Sequence, residues 1–182
     1  MRWQVYQGDI LDVPADVLVC SANVFLNLSG GVGGAFLLRY GPAMQEALQQ
    51  YLVERRIRHV ERGDVVVMPA CGSTYRAVLH AVAVDGFYES SPVVVAAVLT
   101  KSLRQTAALG ARTVAMTAVA TGYGRMSMRD FAVGLRQVVE EVLPPLERVT
   151  LGLRSADDAD ELLGLMPDLE RIEQGACGLN VR

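Results

Sequence analysis

Four glycines within five residues follow an apolar strand near the start of the chain. The strand is Val17-Leu18-Val19-Cys20, and the glycines lie in Gly30-Gly31-Val32-Gly33-Gly34, where a predicted helix begins. The first N–H groups of a helix have no partner within it, and with the helix dipole they attract anions. A residue without a Cβ also lets the main chain approach a bulky oxyanion. The pattern predicts a phosphate-binding loop, with a tight turn that packs the helix on the strand as the alternative.

The loop differs from two well-known phosphate-binding motifs. The dinucleotide-binding fingerprint needs a third glycine, and Phe36 stands at that place. A P-loop needs a lysine followed by serine or threonine, whereas Lys101 is the only lysine of the chain. We therefore expect the backbone and the helix dipole, rather than a basic side chain, to hold the phosphate.

A second loop that contains glycine, Ala120-Thr121-Gly122-Tyr123-Gly124, follows a strand predicted at residues 113–119. In open α/β sheets, ligands bind outside the carboxyl ends of the strands. We therefore expect both loops to face one ligand, with backbone N–H groups on either side of a diphosphate. Tyr123 is placed to cover such a ligand, and a half-buried packing role is the alternative.

Several motifs, taken in order along the chain, resemble those of the macro domain, the ADP-ribose-binding module. They are Gly8-Asp9-Ile10, the strand from Ala15 to Asn23, Gly30-Gly31-Val32 with Gly34-Ala35, the strand that contains His80, and Thr121-Gly122-Tyr123-Gly124. The match covers roughly residues 3 to 165. No single motif is decisive, but together and in this order they are specific.

The resemblance implies which residues contact ADP-ribose. Asp9 would accept a hydrogen bond from the adenine amino group with help from the backbone of Ile10, and Tyr123 would cover the distal ribose. Arg154 stands close to the place where many members stack an aromatic residue on adenine. The predicted ligand contacts are Asp9, Ile10, Ala22, Asn23, Gly30, Gly31, Val32, Gly33, Ala120, Thr121, Gly122, Tyr123, Gly124 and Arg154.

The same resemblance bears on catalysis. Hydrolytic members use an asparagine of the first strand motif and, in some branches, an aspartate and a histidine of the glycine loop and early helix. Asn23 matches the asparagine, whereas Gly33 and Leu37 stand at the other two places. Another branch has a histidine just before the glycines, where this chain has Leu28. An amide cannot act as a base at neutral pH, although it can orient a water or a hydroxyl group.

We therefore expect a reader, that is, a domain that binds free or protein-attached ADP-ribose without turning it over. One alternative is a weak ADP-ribosyl hydrolase or ADP-ribose-1″-phosphatase, with Asn23 and Tyr123 as candidate catalytic residues. Another is an RNA- or poly(ADP-ribose)-binding protein that uses the basic run at residues 55–62, although a solvated helix end is the favoured interpretation of that run.

Composition narrows the class of protein. The chain has 182 residues, 51% hydrophobic and 20% charged, which suits one globular domain, predicted at residues 1–167 with a C-terminal tail at 168–182. A net charge of −3 makes nucleic acid an unlikely partner. Three widely spaced cysteines and two histidines form no metal-binding pattern, so we expect neither metal nor cofactor. The start of the chain lacks the apolar region of a signal peptide, which predicts a cytoplasmic protein without a membrane partner.

Predicted strands and helices alternate along the chain. This order predicts an α/β fold, a three-layer α/β/α sandwich around a central mixed, largely parallel sheet. Helical spacing of apolar residues predicts one continuous helix from Ala35 to about Arg56. His80 lies in a continuous apolar strand, where a core position is the favoured interpretation over a catalytic one.

Overall fold

The computed structural model describes residues 1–172, which form one seven-stranded sheet covered by helices. The strand order is β3-β4-β2-β5-β6-β1-β7, and β3 is antiparallel to β4 while the other neighbours are parallel. The predicted mixed, largely parallel sheet is thus confirmed. The strands are Arg2–Gln7 (β1), Val17–Ala22 (β2), Val65–Pro69 (β3), Ala77–Val82 (β4), Thr113–Thr117 (β5), Arg148–Leu153 (β6) and Glu170–Ile172 (β7).

Helices lie on both faces of the sheet. They are Gly31–Tyr40 (α1), Ala43–Arg55 (α2), Pro92–Ala108 (α3), Met128–Arg136 (α4) and Ala156–Leu165 (α5), with a single 3-10 turn at Ile10–Asp12. In the part of the chain that the structure describes, no helix combines the length and apolar character needed to cross a bilayer. The helices α1 and α2 contribute to one buried cluster, and α3, α4 and α5 to another on the opposite face.

The interior strand β2 explains why the sheet is covered on both faces. Its side chains alternate between the two clusters: Val17 and Val19 belong to the cluster of α3 to α5, and Leu18 and Cys20 to the cluster of α1 and α2. All four side chains are almost completely buried. A parallel strand that is apolar on both sides needs a helical layer on each face. The predicted three-layer α/β/α sandwich is therefore confirmed.

The single helix predicted from Ala35 to Arg56 is wrong in two respects. Helix α1 begins four residues earlier, at Gly31, and the chain leaves the helix at Gly41 before α2 begins. Gly41 has a φ of 82°, and Pro42 has no N–H for a helical hydrogen bond. The apolar spacing continues on both sides of this break because both helices bury side chains in the same cluster.

The segment predicted as a tail begins with a strand. β7 pairs in parallel with β1, and Gln4 Nε2 donates a hydrogen bond to Glu170 Oε2 at 3.1 Å. The sheet therefore extends to Ile172. Residues 173–182, with Cys177, lie outside the described part of the chain.

Serine caps fix where three helices begin. The side chain of Ser91 accepts from Val94 N, that of Ser127 from Asp130 N, and that of Ser155 from Asp158 N, at 3.1 to 3.4 Å. Such caps satisfy one of the free N–H groups at a helix start. Ser155 and Asp158, at the start of α5, also line the cleft described below.

His80 is a core residue, as the apolar strand indicates. Its side chain is buried, and its Nε2 lies 3.4 Å from the sulfur of Met44 on α2. Burial lowers the pKa of His80 to about 4, so the imidazole is neutral at physiological pH. It does not line the cleft.

Candidate functional site

A cleft of about 430 Å³ opens at the carboxyl ends of β1, β2, β5 and β6. These four strands are consecutive parallel neighbours in the sheet, so the loops that follow them meet at one edge. Every predicted ligand contact lines this cleft. They are Asp9 and Ile10 after β1, Ala22 and Asn23 at the end of β2, Gly30, Gly31, Val32 and Gly33 at the start of α1, Ala120, Thr121, Gly122, Tyr123 and Gly124 after β5, and Arg154 after β6.

The start of α1 in the first loop, residues 28–33, leaves its first three backbone donors free. The first helical hydrogen bond of α1 runs from Gly34 N to Gly30 O at 3.0 Å. Among the described residues, no acceptor binds the N–H groups of Gly31, Val32 or Gly33, and no side chain caps the helix. Gly31 has a φ of 55°, which a residue without a Cβ adopts readily. The loop therefore offers three N–H groups and a helix start to an anion.

The second loop, residues 120–124, leaves four donors free. Its turn is closed by hydrogen bonds from Met126 N to Ala120 O at 3.1 Å and from Arg125 N to Gly122 O at 3.2 Å. Ala120 has a φ of 67°, an uncommon conformation for a residue with a Cβ, and such strain is concentrated at functional sites. Within residues 1–172, the N–H groups of residues 121–124 have no acceptor. A second group of free amides thus lines the cleft.

The two loops touch each other through Tyr123. A Cβ built on Gly30 would lie 2.5 Å from Tyr123 Oη and 2.9 Å from its Cε2, so the ring lies directly over Gly30. The side chain is largely exposed, which does not fit the half-buried packing role. The expectation that the two glycine loops face one space is confirmed, while their part in binding stays a prediction.

Asp9 lies at one end of the cleft. Its Oδ1 accepts a hydrogen bond from Leu11 N at 3.1 Å and so caps the 3-10 turn. Its Oδ2 lies 3.5 Å from a guanidinium nitrogen of Arg39 and 3.5 Å from one of Arg154. Asp9 is therefore both a capping residue and part of the cleft wall. Among the described residues, Arg154 is the one basic side chain in that wall.

Asn23 closes the loop that follows β2. Its Oδ1 accepts from Phe25 N at 3.0 Å and from Asn27 N at 3.3 Å, and its Nδ2 donates to Asn27 O at 3.0 Å. The amide oxygen is occupied by these bonds, and one of the two N–H groups of Nδ2 is left over. Asn23 can thus donate to a ligand or a water, but it is mainly held in place as a structural residue.

Sequence reasoning missed several residues of the wall. The most prominent is Tyr88, whose ring centroid lies 6.4 Å from that of Tyr123 across the cleft mouth. Tyr88 belongs to the turn after β4, and the only sequence signal for it is the turn-forming pair Asp85-Gly86. Other missed wall residues are Ser21, Asn27, Thr117, Ser155 and Asp158.

The cleft offers free backbone amides to an anion and has few titratable side chains in its wall. In the described residues, the titratable side chains of the wall are Asp9, Tyr88, Tyr123, Arg154 and Asp158, and none belongs to the first loop. Cys20 at the end of β2 is buried, and burial raises the pKa of its thiol to about 12. Neither the amide of Asn23 nor the buried thiol of Cys20 is therefore suited to act as a general base at neutral pH.

Sequence comparisons identify relatives over most of the chain. The sequence model of the Macro domain family matches residues 19–133. A macro domain-containing protein in the non 5'region of Streptomyces griseus is 33% identical over 155 residues, which are 84% of this chain and 88% of that protein. An O-acetyl-ADP-ribose deacetylase of Cronobacter sakazakii is 36% identical over 126 residues, 68% of this chain and 69% of that enzyme.

Solved structures share the fold. A mutant of the Oceanobacillus iheyensis macrodomain with ADPR superposes with a TM-score of 0.81 at 19% identity, over 90% of each chain. The Trypanosoma brucei macrodomain in complex with ADP-ribose reaches a TM-score of 0.72 at 21% identity, over 87% of this chain and 66% of that chain. With the family match and the identity to relatives, the conclusion is that the chain belongs to the macro domain family.

Proposed function

We propose that this protein binds ADP-ribose, free or attached to a protein, as a reader. The observation that carries the proposal is the pair of neighbouring loops whose seven backbone N–H groups, at residues 31–33 and 121–124, have no acceptor among the described residues. Amide groups grouped in this way bind phosphate oxygens. Structural neighbours with ADP-ribose bound support the same ligand for this cleft.

The rest of the cleft suits the two ends of ADP-ribose. With the diphosphate between the loops, the adenine end lies at Asp9, whose Oδ2 has only two long contacts with arginines and can accept from an amino group. The distal ribose lies towards Asn23 and Tyr123. The cleft volume of about 430 Å³ is within the usual range of small-molecule sites.

Packing in the first loop supports binding without turnover. A Cβ at Gly33 would lie 3.1 Å from Leu28 Cα and 3.1 Å from its Cδ2, so the buried Leu28 fills the space beside that glycine. Leu28 and Gly33 stand at places where hydrolytic branches carry ionisable residues. A side chain added at residue 33 would therefore require Leu28 to move.

Slow hydrolysis is the second candidate. Relatives named O-acetyl-ADP-ribose deacetylase favour it, and Asn23 keeps one N–H that could orient a water. RNA binding receives less support, because two arginines of the basic run are already engaged. The Arg55 guanidinium lies 3.9 Å above the ring of Tyr51, and Arg62 pairs with Asp85 at 3.0 Å.

Ligand-induced stabilisation tests the binding proposal. A ligand at 100 times its dissociation constant adds about 2.7 kcal/mol to the free energy of unfolding. For a domain of this size, that raises the thermal midpoint by about 5–10 °C. We expect this shift with ADP-ribose and a smaller one with ADP, while short RNA gives none. A shift with RNA and none with ADP-ribose would refute the proposal.

Incubation with O-acetyl-ADP-ribose and with a mono-ADP-ribosylated protein separates reader from enzyme. Chromatography should show no ADP-ribose released above the uncatalysed rate. If product does form, the Asn23→Ala variant tests whether the distal ribose lies beside Asn23. Release that depends on Asn23 would favour the second candidate, and release that survives the substitution would place the reaction elsewhere.

A further inference from the structure

The exposed aromatic residues of this protein gather at one place. Among the described residues, four aromatic side chains have large exposed fractions: Phe25 (50%), Phe87 (88%), Tyr88 (45%) and Tyr123 (69%). Tyr88 and Tyr123 line the cleft, Phe25 lies two residues after Asn23 of the cleft wall, and Phe87 directly precedes Tyr88. Exposed apolar side chains that cluster in this way mark interaction surfaces, whereas single ones are ordinary.

The turn at residues 85–89 holds two of these aromatics in fixed positions. The Asp85 carboxylate accepts from Phe87 N at 2.9 Å and from Glu89 N at 3.0 Å. The Arg62 guanidinium donates to Asp85 Oδ2 at 3.0 Å and to Glu89 O at 3.3 Å. Tyr88 is kept at a φ of 65°, which is rare for an aromatic residue. The turn is held by several hydrogen bonds, yet it leaves Phe87 exposed to solvent. Phe87 therefore does not contribute to the hydrophobic core, and it is available to contact another molecule.

A second groove, of about 400 Å³, adjoins the cleft at this turn. The two spaces share a wall, since Val84 and Tyr88 line the cleft while Asp85 and Gly86 line the groove. The groove also begins next to Asn23 in the chain, because Asn23 lines the cleft and the following residue, Val24, lines the groove. The groove is lined by Val24, Phe25, His59, Val60, Glu61, Arg62, Asp85 and Gly86, with the rings of Phe25 and His59 edge to face at 6.3 Å.

We propose that this groove and its aromatic rim bind the polypeptide to which an ADP-ribose is attached. The proposal rests on the proposed function, because it needs the distal ribose near Asn23. A protein joined to that ribose must leave the cleft there, and the groove begins at the next residue, Val24. Aromatic side chains beside a few paired charges are the usual composition of a protein-binding surface.

Charge favours a polypeptide over a second nucleotide unit. The groove carries the carboxylates of Glu61 and Asp85 against the guanidinium of Arg62, which Asp85 already neutralises. A polymer with charged phosphates needs a positive surface, whether it is RNA or poly(ADP-ribose). This groove does not offer one.

The test compares free ADP-ribose with three mono-ADP-ribosylated decapeptides of acidic, basic and neutral composition. Binding is measured by calorimetry with the wild-type protein, Phe25→Ser, Phe87→Ser and the double variant. Val142→Ser is the matched control, because Val142 is an exposed apolar residue that lines neither the cleft nor the groove. The wild type should bind at least one peptide about tenfold more tightly than free ADP-ribose, as expected for a contact surface with aromatic anchors.

The double variant should reduce this advantage to less than about twofold while its affinity for free ADP-ribose stays within about twofold of wild type. Val142→Ser should change neither affinity. If the wild type binds all three peptides no better than free ADP-ribose, or if the variants weaken both ligands equally, the inference is wrong although the proposed function stands. The inference would also be wrong if two linked ADP-ribose units bound more tightly than free ADP-ribose, the groove variants removed that advantage, and no peptide showed one. Failure to bind free ADP-ribose would refute the proposed function itself.

Discussion

Replacing Gly30 by alanine tests whether Tyr123 covers the ligand. Gly30 has a φ of −176°, an extended conformation that alanine adopts without strain. The added methyl group would lie 2.5 Å from Tyr123 Oη, so the tyrosine side chain must move. Tyr123 is largely exposed, so its side chain can turn aside and the fold should tolerate the change. The perturbation therefore acts on the cleft through one side chain.

The expected loss of affinity is that of the tyrosine's contact with ligand. Aromatic stacking on nucleotides is worth about 1–3 kcal/mol per ring. A ring that covers a ribose should be at the lower end, so Gly30→Ala should raise the dissociation constant of ADP-ribose about fivefold, or about 1 kcal/mol. Tyr123→Ala should cost the same. The double variant should also cost about 1 kcal/mol rather than about 2, because the methyl group has no ring left to displace.

Calorimetry with ADP-ribose measures all three variants, and thermal midpoints show that each is folded. Gly164→Ala in α5 is the control: a Cβ there meets nothing within 4 Å, and Gly164 is not in the cleft wall. Additive losses in the double variant would show that Gly30 and Tyr123 act independently. Wild-type affinity in Gly30→Ala would show that the position of Tyr123 does not matter for binding.

Three further predictions follow from named groups. Gly31→Glu places a carboxylate in the first loop and should abolish stabilisation by ADP-ribose in a thermal shift assay; a retained shift would argue against an anion site there. Asp9→Ala should weaken the binding of ADP-ribose by about 1.5–3 kcal/mol, as measured by calorimetry. It should leave ribose-5-phosphate unaffected, and equal losses for both ligands would exclude an adenine contact. Burial lowers the pKa of His80 from about 6.5 to about 4. Between these two pH values the histidine is protonated in the unfolded chain and neutral in the folded protein. Stability should therefore fall by about 2 kcal/mol more between pH 7 and pH 5 than in His80→Gln, as urea midpoints would show, and identical pH dependence would contradict this.

The sequence was sufficient to predict the layers of the fold and most of the cleft wall. An apolar run such as 17–20 requires cover on both faces, and glycines directly after it indicate where the chain must turn at the sheet edge. The carboxyl ends of parallel strands then bring the loops together without further information. This is why Gly30 and Tyr123, distant in sequence, could be assigned to one site.

Other features depend on contacts that local patterns do not encode. Tyr88 reaches the cleft because Arg62 and Asp85 fix its turn, and this pairing joins two distant segments. The strand Glu170–Ile172 has only three residues and no apolar alternation that would indicate it in the sequence. It pairs with β1 at the edge of the sheet through backbone hydrogen bonds, which do not depend on residue type. The break at Gly41-Pro42 was visible in the sequence, but helical spacing on both sides outweighed it.

In the proposed site the phosphate-binding donors belong to the main chain, whereas the places linked to hydrolysis differ from those of hydrolytic members in their side chains. The seven free N–H groups belong to the backbone, so they do not depend on which side chains stand at residues 28, 33 and 37. The resemblance places the ionisable groups of hydrolytic members at residues 28, 33 and 37, and in this protein Leu28 packs closely against Gly33. A phosphate site made of main-chain N–H groups is therefore compatible with apolar side chains at these places.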